Sequence, residues 1–213
     1  MIELYDFELS GNCYKLRLLM TILGIEYTPK MIDFFPGNEH QTDEFLEINP
    51  LGQLPVLCDG EVTLRDAQAI LTYLATKYDE SGQWYPVTDP ARLGLVNQWL
   101  AFADMITSTA SAARLHDGLF YHWIDINKAR AGAHRLFQVL DEHLWHAEQD
   151  GELWILPGNN PTLADLACFP YTMLASEGGV PLTDYPAIRR WTDRFKRVPG
   201  FIPMPGIFPA GTA

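Results

Sequence analysis

At 213 residues, with 47% apolar and 20% charged residues, the chain can hold one large domain or two small ones and is too apolar for disorder. A net charge of −12 argues against nucleic acid or an anionic membrane as the main partner, and no apolar run approaches the ~18 residues of a membrane-spanning helix. Cys13, Cys58 and Cys168 are odd in number and far apart, which fits a reducing, cytoplasmic compartment and neither a disulfide framework nor a cysteine metal site.

The chain enters a strand-like stretch at once, Ile2 to Asp6, so no leader peptide is expected. Leu16, Leu19, Met20 and Leu23 then follow helical spacing, closed by Gly24. Tyr27 to Asp33 reads as a second strand. Residues 35–49 are polar and loop-like, with a helical turn around Glu44 to Glu47. Two apolar runs, Leu54 to Cys58 and Glu61 to Leu64, flank Asp59-Gly60, a strong hairpin signal to which only turn chemistry is assigned. Asp66 can cap the next helix, whose apolar face is Ala67, Ile70, Leu71, Leu74 and Tyr78.

The order β-α-β, loop, β-β-α is that of a thioredoxin-like α/β domain, expected over residues 1–80. Gly82, Pro86 and Pro90 mark a linker over 81–89. From 90 to 213 only helical periods occur: Leu93, Val96, Leu100 and Ala103; Leu136, Phe137, Leu140 and Leu144; Ile188, Trp191 and Phe195. Thr162 to Asp165 is a capping-box start with a local role. The tail, with prolines at 199, 203, 205 and 209, is expected to lie extended on the surface. His143 and His146 share a helix beside Glu142 without a third ligand, so they read as a solvated face and no metal is expected. Phe102, Phe120, Tyr121 and Trp123 read as core aromatics.

Three stretches line up in order and spacing: Ser10-Gly-Asn-Cys-Tyr-Lys15, Asn49-Pro-Leu-Gly-Gln-Leu-Pro-Val56, and Leu64-Arg-Asp-Ala-Gln-Ala-Ile70. Together they resemble the glutathione-binding domain of cytosolic glutathione transferases of the bacterial, serine/asparagine type, and the helical half is similar to that family's second domain. The resemblance implies a homodimer that binds glutathione as co-substrate, without a metal, and directs it at a small apolar electrophile in detoxification.

A thiol attacks only as thiolate, and lowering its pKa from ~8.5 by about two units takes roughly 3 kcal/mol of anion stabilisation. Ser10, at the end of the first strand and the positive end of the first helix, has the chemistry to supply a hydroxyl donor there; its plainer role is a helix cap. Asn12 is the second candidate donor. Ser10-x-x-Cys13 stands where glutaredoxins carry Cys-x-x-Cys, which leaves Cys13 as a buried thiol, with a redox thiol as the alternative. By resemblance, Leu54 and a cis Pro55 hold the cysteinyl part of glutathione, Gln53 contacts its backbone or its γ-glutamyl end, and Asp66 and Ala67 hold the γ-glutamyl end. The family usually has Glu or Gln followed by Ser at that last pair, so here the carboxylate is one methylene shorter and the hydroxyl is missing. His40 and Gln41 match positions that face the glycine carboxylate. Phe7, Leu9, Phe35 and Met105 are expected to line the electrophile site, with Phe34 and Leu115 beside them. The alternative functions are a glutathione-dependent peroxidase or disulfide reductase, and a non-catalytic module that kept the fold.

Overall fold

Four short strands form one mixed sheet in the order β2-β1-β3-β4, where β1 is Ile2–Asp6, β2 Tyr27–Met31, β3 Val56–Asp59 and β4 Val62–Arg65. This is a computed structural model, and it describes residues 1–119 and 121–211. Phe120, expected in the core, lies outside the described residues. β1 pairs parallel with β2 and antiparallel with β3, so its alternating Ile2, Leu4 and Asp6 all turn to the buried face.

Helix α1 (Gly11–Ile22) connects β1 to β2 and buries Leu16, Leu19 and Met20 as its spacing predicts. The hairpin differs from expectation by one residue. Asp59 pairs with Val62, so the two-residue turn is Gly60-Glu61, with Gly60 at φ +61°. Glycine in the first central position is what this hairpin geometry selects. Asp59 also does more than turn the chain. Its Oδ2 accepts from Tyr73 Oη (2.9 Å), Lys77 Nζ (2.5 Å) and Tyr78 Oη (3.0 Å), which ties the hairpin to α3 (Ala67–Tyr78) and holds its carboxyl below the usual range, the Lys77 bond first among the causes.

Between β2 and β3 the polar stretch carries two elements, a 3₁₀ turn at Glu39–Gln41 and helix α2 (Asp43–Ile48), capped by Thr42, whose hydroxyl accepts from Phe45 N–H. Only Phe45 of α2 is buried; it packs with Ile32 and Val56, and Tyr5, Ile48 and Leu54 close around them. Burying one such aromatic ring contributes ~2 kcal/mol, and here it seats the segment that leads into Pro55.

The chain divides into two units, Met1–Glu80 and Ser81–Ala213. In the second, Trp84 is buried and its carbonyl accepts from Leu163 N–H at 2.9 Å, so the proline-rich 81–89 stretch is packed onto the helical half. Helices α4 (Pro90–Ile106), α5 (Ala112–Gly118), α6 (Ile126–Gln149), α7 (Leu163–Met173) and α8 (Pro186–Phe195) follow, α4 running through a π-helical turn at Thr107–Ser111 into α5. The predicted apolar faces of α4, α6 and α8 are buried, apart from the half-buried Leu93.

Four local expectations are corrected. His143 is half-buried rather than part of a solvated face: its Nε2–H donates to the Ile155 carbonyl at 2.7 Å and its ring lies 4.7 Å from that of Trp99, whereas His146 is exposed. Trp123 is 77% exposed and stacks on Tyr121, because the segment before α6 runs outside the core. The tail is not merely superficial, since Met204 and Ile207 bridge each other and are buried. Asp165 reaches beyond its capping box. Its carboxylate accepts from Thr162 N–H, Ile155 N–H and Trp191 Nε1–H, each at 2.9 Å, and it is wholly buried.

Candidate active site

Ser10 caps α1. Its backbone is extended (φ −79°, ψ 118°), its N–H donates to the Phe7 carbonyl at 2.9 Å, and its Oγ accepts from Cys13 N–H at 3.2 Å. A serine hydroxyl has two acceptor sites and one proton. The cap uses one lone pair, so capping by itself does not prevent this hydroxyl from also acting as a donor. Asn12, in the first turn of α1, is half-buried.

Cys13, three residues on in α1, is fully buried. Burial first and the Asp6 charge second push its thiol up to about 12, against the lowering effect of the Ser10 hydrogen bond. It therefore stays a neutral thiol at physiological pH. Iodoacetamide at pH 8 is expected to spare Cys13 in the native protein and to label the half-buried Cys58 first, with peptide mass mapping as the check. Rapid native labelling of Cys13 would revive the redox reading.

The loop before β3 is built by Asn49, a buried residue that sequence reasoning treated only as part of a motif. Its Nδ2 donates to the Gln53 carbonyl (2.8 Å), its Oδ1 accepts from Leu51 N–H (3.1 Å), and its own carbonyl accepts from Gly52 N–H (2.9 Å). Gln41 reinforces the turn from outside, Nε2 donating to the Gly52 carbonyl at 3.3 Å. Gly52 sits at φ +56°, and a Cβ there would come within 2.4 Å of Gln41 Nε2 and 3.0 Å of the His40 carbonyl, so the position needs glycine. Leu54-Pro55 is cis, as is Phe35-Pro36. Because the β1–β3 ladder begins at Val56, Leu54 lies outside it and its backbone is not committed to the sheet. Gln53 is exposed.

Asp66 is exposed at φ +83°, a conformation that a non-glycine residue adopts at a cost of roughly 1–3 kcal/mol and that gathers at functional sites. Its Oδ1 accepts from Ala69 N–H at 2.9 Å, capping α3. Ala67 and Gln68 open that helix and are buried. The N–H groups of a helix start bind anions without help from side chains.

His40 is buried with its ring 3.9 Å from Phe34 at 18°, and Phe34 in turn stacks on Phe7 at 5.4 Å. Burial lowers its pKa, which favours the neutral imidazole. Phe7 and Leu9 are half-buried and Phe35 is exposed. Met105, expected with them, belongs to the second unit, where it is 51% exposed and its carbonyl accepts from the Ser108 and Thr109 hydroxyls. Leu115 is half-buried in α5. Among the described residues no three acidic, histidine or cysteine side chains gather as metal ligands, and no helix is long and apolar enough to cross a membrane.

A cis-proline loop leading into β3 and a serine-capped α1, on a sheet of this order, define a domain of the thioredoxin-like class. The family model for the N-terminal domain of glutathione S-transferases matches residues 4–82, and that for the C-terminal domain matches 122–199. Glutathione S-transferase 1 of Dianthus caryophyllus is 40% identical over 80 residues, which are 38% of this chain and 36% of that protein. Glutathione S-transferase verG of Clonostachys rogersoniana is 27% identical over 206 residues, 89% of this chain and 80% of that one. The crystal structure of a glutathione S-transferase from Pseudomonas fluorescens Pf-5 has a TM-score of 0.80 at 29% identity, covering 95% of this chain and 98% of that one. A second family member from the same organism, with two glutathione bound, has a TM-score of 0.78 at 25% identity over 93% and 89% of the two chains. The chain belongs to the glutathione S-transferase family.

Proposed function

We propose that this glutathione transferase binds reduced glutathione in its first unit, activates the sulfur with Ser10 and directs the thiolate at a small apolar electrophile. The observation that carries this reading is the Ser10 hydroxyl, which stands at the positive end of α1 and caps it as an acceptor, a role that does not itself use the hydroxyl proton. The bound glutathione of the P. fluorescens relative supports the ligand.

Asn12 stands one turn-position away as a second donor. The uncommitted backbone of Leu54, before cis Pro55, suits the cysteinyl amide, and Gln53 is exposed beside it. Asp66 offers its carboxylate to the γ-glutamyl ammonium, while the amides of Ala67 and Gln68 receive the γ-glutamyl carboxylate. Gln41 and the polar edge of His40 serve the glycine end. Phe7, Leu9 and Phe35 form the apolar wall on this unit. A domain boundary after residue 80, a homodimer, a cytoplasmic location and a role in detoxification belong to the same reading. Peroxidase and non-catalytic roles are not favoured, and the buried, high-pKa Cys13 gives a redox mechanism no accessible thiolate in this helix.

Calorimetric titration with reduced glutathione tests the ligand directly. One site per chain in the micromolar-to-millimolar range is expected, and absence of binding over that range would overturn the proposal. In Ala67→Ser, a hydroxyl restored at the helix start is expected to tighten glutathione by about five- to tenfold, the net worth of one ordinary hydrogen bond. An unchanged affinity would show that the backbone amides alone saturate the γ-glutamyl carboxylate.

A further inference from the structure

Arg17 stands two turns into α1, away from any expected contact with glutathione, and folds back over the loop that delivers Ser10. Its Nη2 donates to the Glu8 carbonyl at 2.9 Å. Its Nη1 donates to the Phe7 carbonyl at 3.4 Å and pairs with the Asp6 carboxylate at the end of β1. The same Phe7 carbonyl accepts the Ser10 N–H. Every residue from the strand end to Glu8 is thus tied to one guanidinium, which itself lies 5.9 Å over the Tyr14 ring on the helix that Ser10 caps.

The pair is nearly dry, the Arg17 and Asp6 side chains being 14% and 4% exposed. Burying such a pair gains little stability over an apolar one, because the desolvation of both charges offsets their attraction. The geometry shows what it gains in place of stability. A planar fork of donors can hold two successive carbonyls and a carboxylate in one arrangement, which neither an apolar side chain nor a lysine can do. A hydroxyl donor stabilises an anion in full only if it is already aimed, and a displacement of about 1 Å can cost ~10²-fold in rate.

We propose that Arg17 is a positioning residue for Ser10: by clamping the Phe7 and Glu8 carbonyls and Asp6 to α1, it fixes the hydroxyl that stabilises the glutathione thiolate. This rests on the reading of Ser10 given above.

The test compares wild type with Arg17→Met, Arg17→Lys, Ser10→Gly and the Arg17→Met/Ser10→Gly pair. The readouts are the ultraviolet absorbance of bound glutathione thiolate against pH, glutathione affinity by calorimetry, and thermal unfolding. In Arg17→Met the pKa of the bound thiol is expected to rise by about one unit, tenfold less thiolate at neutral pH, while affinity stays within about threefold. Arg17→Lys should show the same rise, since it keeps the charge and loses the fork; it also serves if the methionine variant does not fold. Ser10→Gly should raise the pKa further, and the pair should add nothing to Ser10→Gly alone. A rise with Ser10→Gly but none with either Arg17 variant overturns the clamp and leaves the Ser10 reading standing. A full further rise in the double variant, or rescue by lysine, overturns it in favour of a direct charge effect. No rise with Ser10→Gly itself removes Ser10 as the sulfur donor and the clamp with it.

Discussion

Ser10→Gly is expected to lower kcat/KM near neutral pH by about 10²-fold while leaving glutathione bound, and steady-state kinetics with a small aromatic electrophile is the check. A hydroxyl aimed at an anion in a partly dry site is worth ~2–3 kcal/mol, and that energy appears as thiolate population. The loss should shrink as pH rises toward the ~8.5 of an unassisted thiol, where the thiolate forms without help. Glycine is the informative replacement because Oγ has two jobs here. It accepts the Cys13 N–H as cap, and losing a cap to alanine costs about 1 kcal/mol, whereas glycine at this position costs only a few tenths. If Ser10→Gly and Ser10→Ala lose the same activity, the missing donor is responsible. If Ser10→Gly retains wild-type rates across the pH range, Ser10 is a cap and nothing more, and Asn12→Ala becomes the variant to make.

Asp165→Ala is expected to be the most destabilising single change to an isolated carboxylate in the chain, by about 3–6 kcal/mol. Burial opposes ionisation of this carboxyl, and the N–H groups around it act in the opposite sense. Its three donors are the N–H of Thr162 at the cap of α7, the N–H of Ile155 in the preceding loop, and the indole of Trp191 on α8. All would be left in a dry core, and an unsatisfied buried donor costs ~1–3 kcal/mol. Set against the 5–15 kcal/mol that holds a typical domain, the loss is a large fraction of the whole. Urea unfolding followed by tryptophan fluorescence reads it, since Trp191 and Trp154 report on the affected core. Thr162→Ala, which removes only the hydroxyl side of the box, should cost about 1 kcal/mol. Equal losses for the two variants would mean that the tertiary bonds of Asp165 contribute little.

Much of this was legible before any coordinates. Helical faces could be read because burial selects apolar residues at 3.6-residue spacing, and Leu16, Leu74, Leu140 and Trp191 are buried as their spacing requires. The order of strands and helices along the chain followed from where turn residues interrupt apolar runs, and Ser10, by itself an ordinary helix cap, could be singled out because two further motifs accompany it. The hairpin register was missed by one residue. Asp-Gly marks the place of a turn, while cross-strand pairing decides which residue is its corner.

What sequence alone determined is the set of local preferences: two halves of different period, the caps at Ser10, Asp66 and Thr162, the glycine at Gly60, and the three motifs of the glutathione transferases. These depend on neighbours within about four residues, which a linear reading can see. Only the tertiary structure decided which polar side chains meet across the fold. Arg17 with the Phe7 and Glu8 carbonyls, Asp59 with Tyr73, Lys77 and Tyr78, and Asp165 with Ile155 and Trp191 are joined by no periodic signal. Hydrogen bonding is directional and short-ranged, so such partners are set by the packing of the elements that carry them.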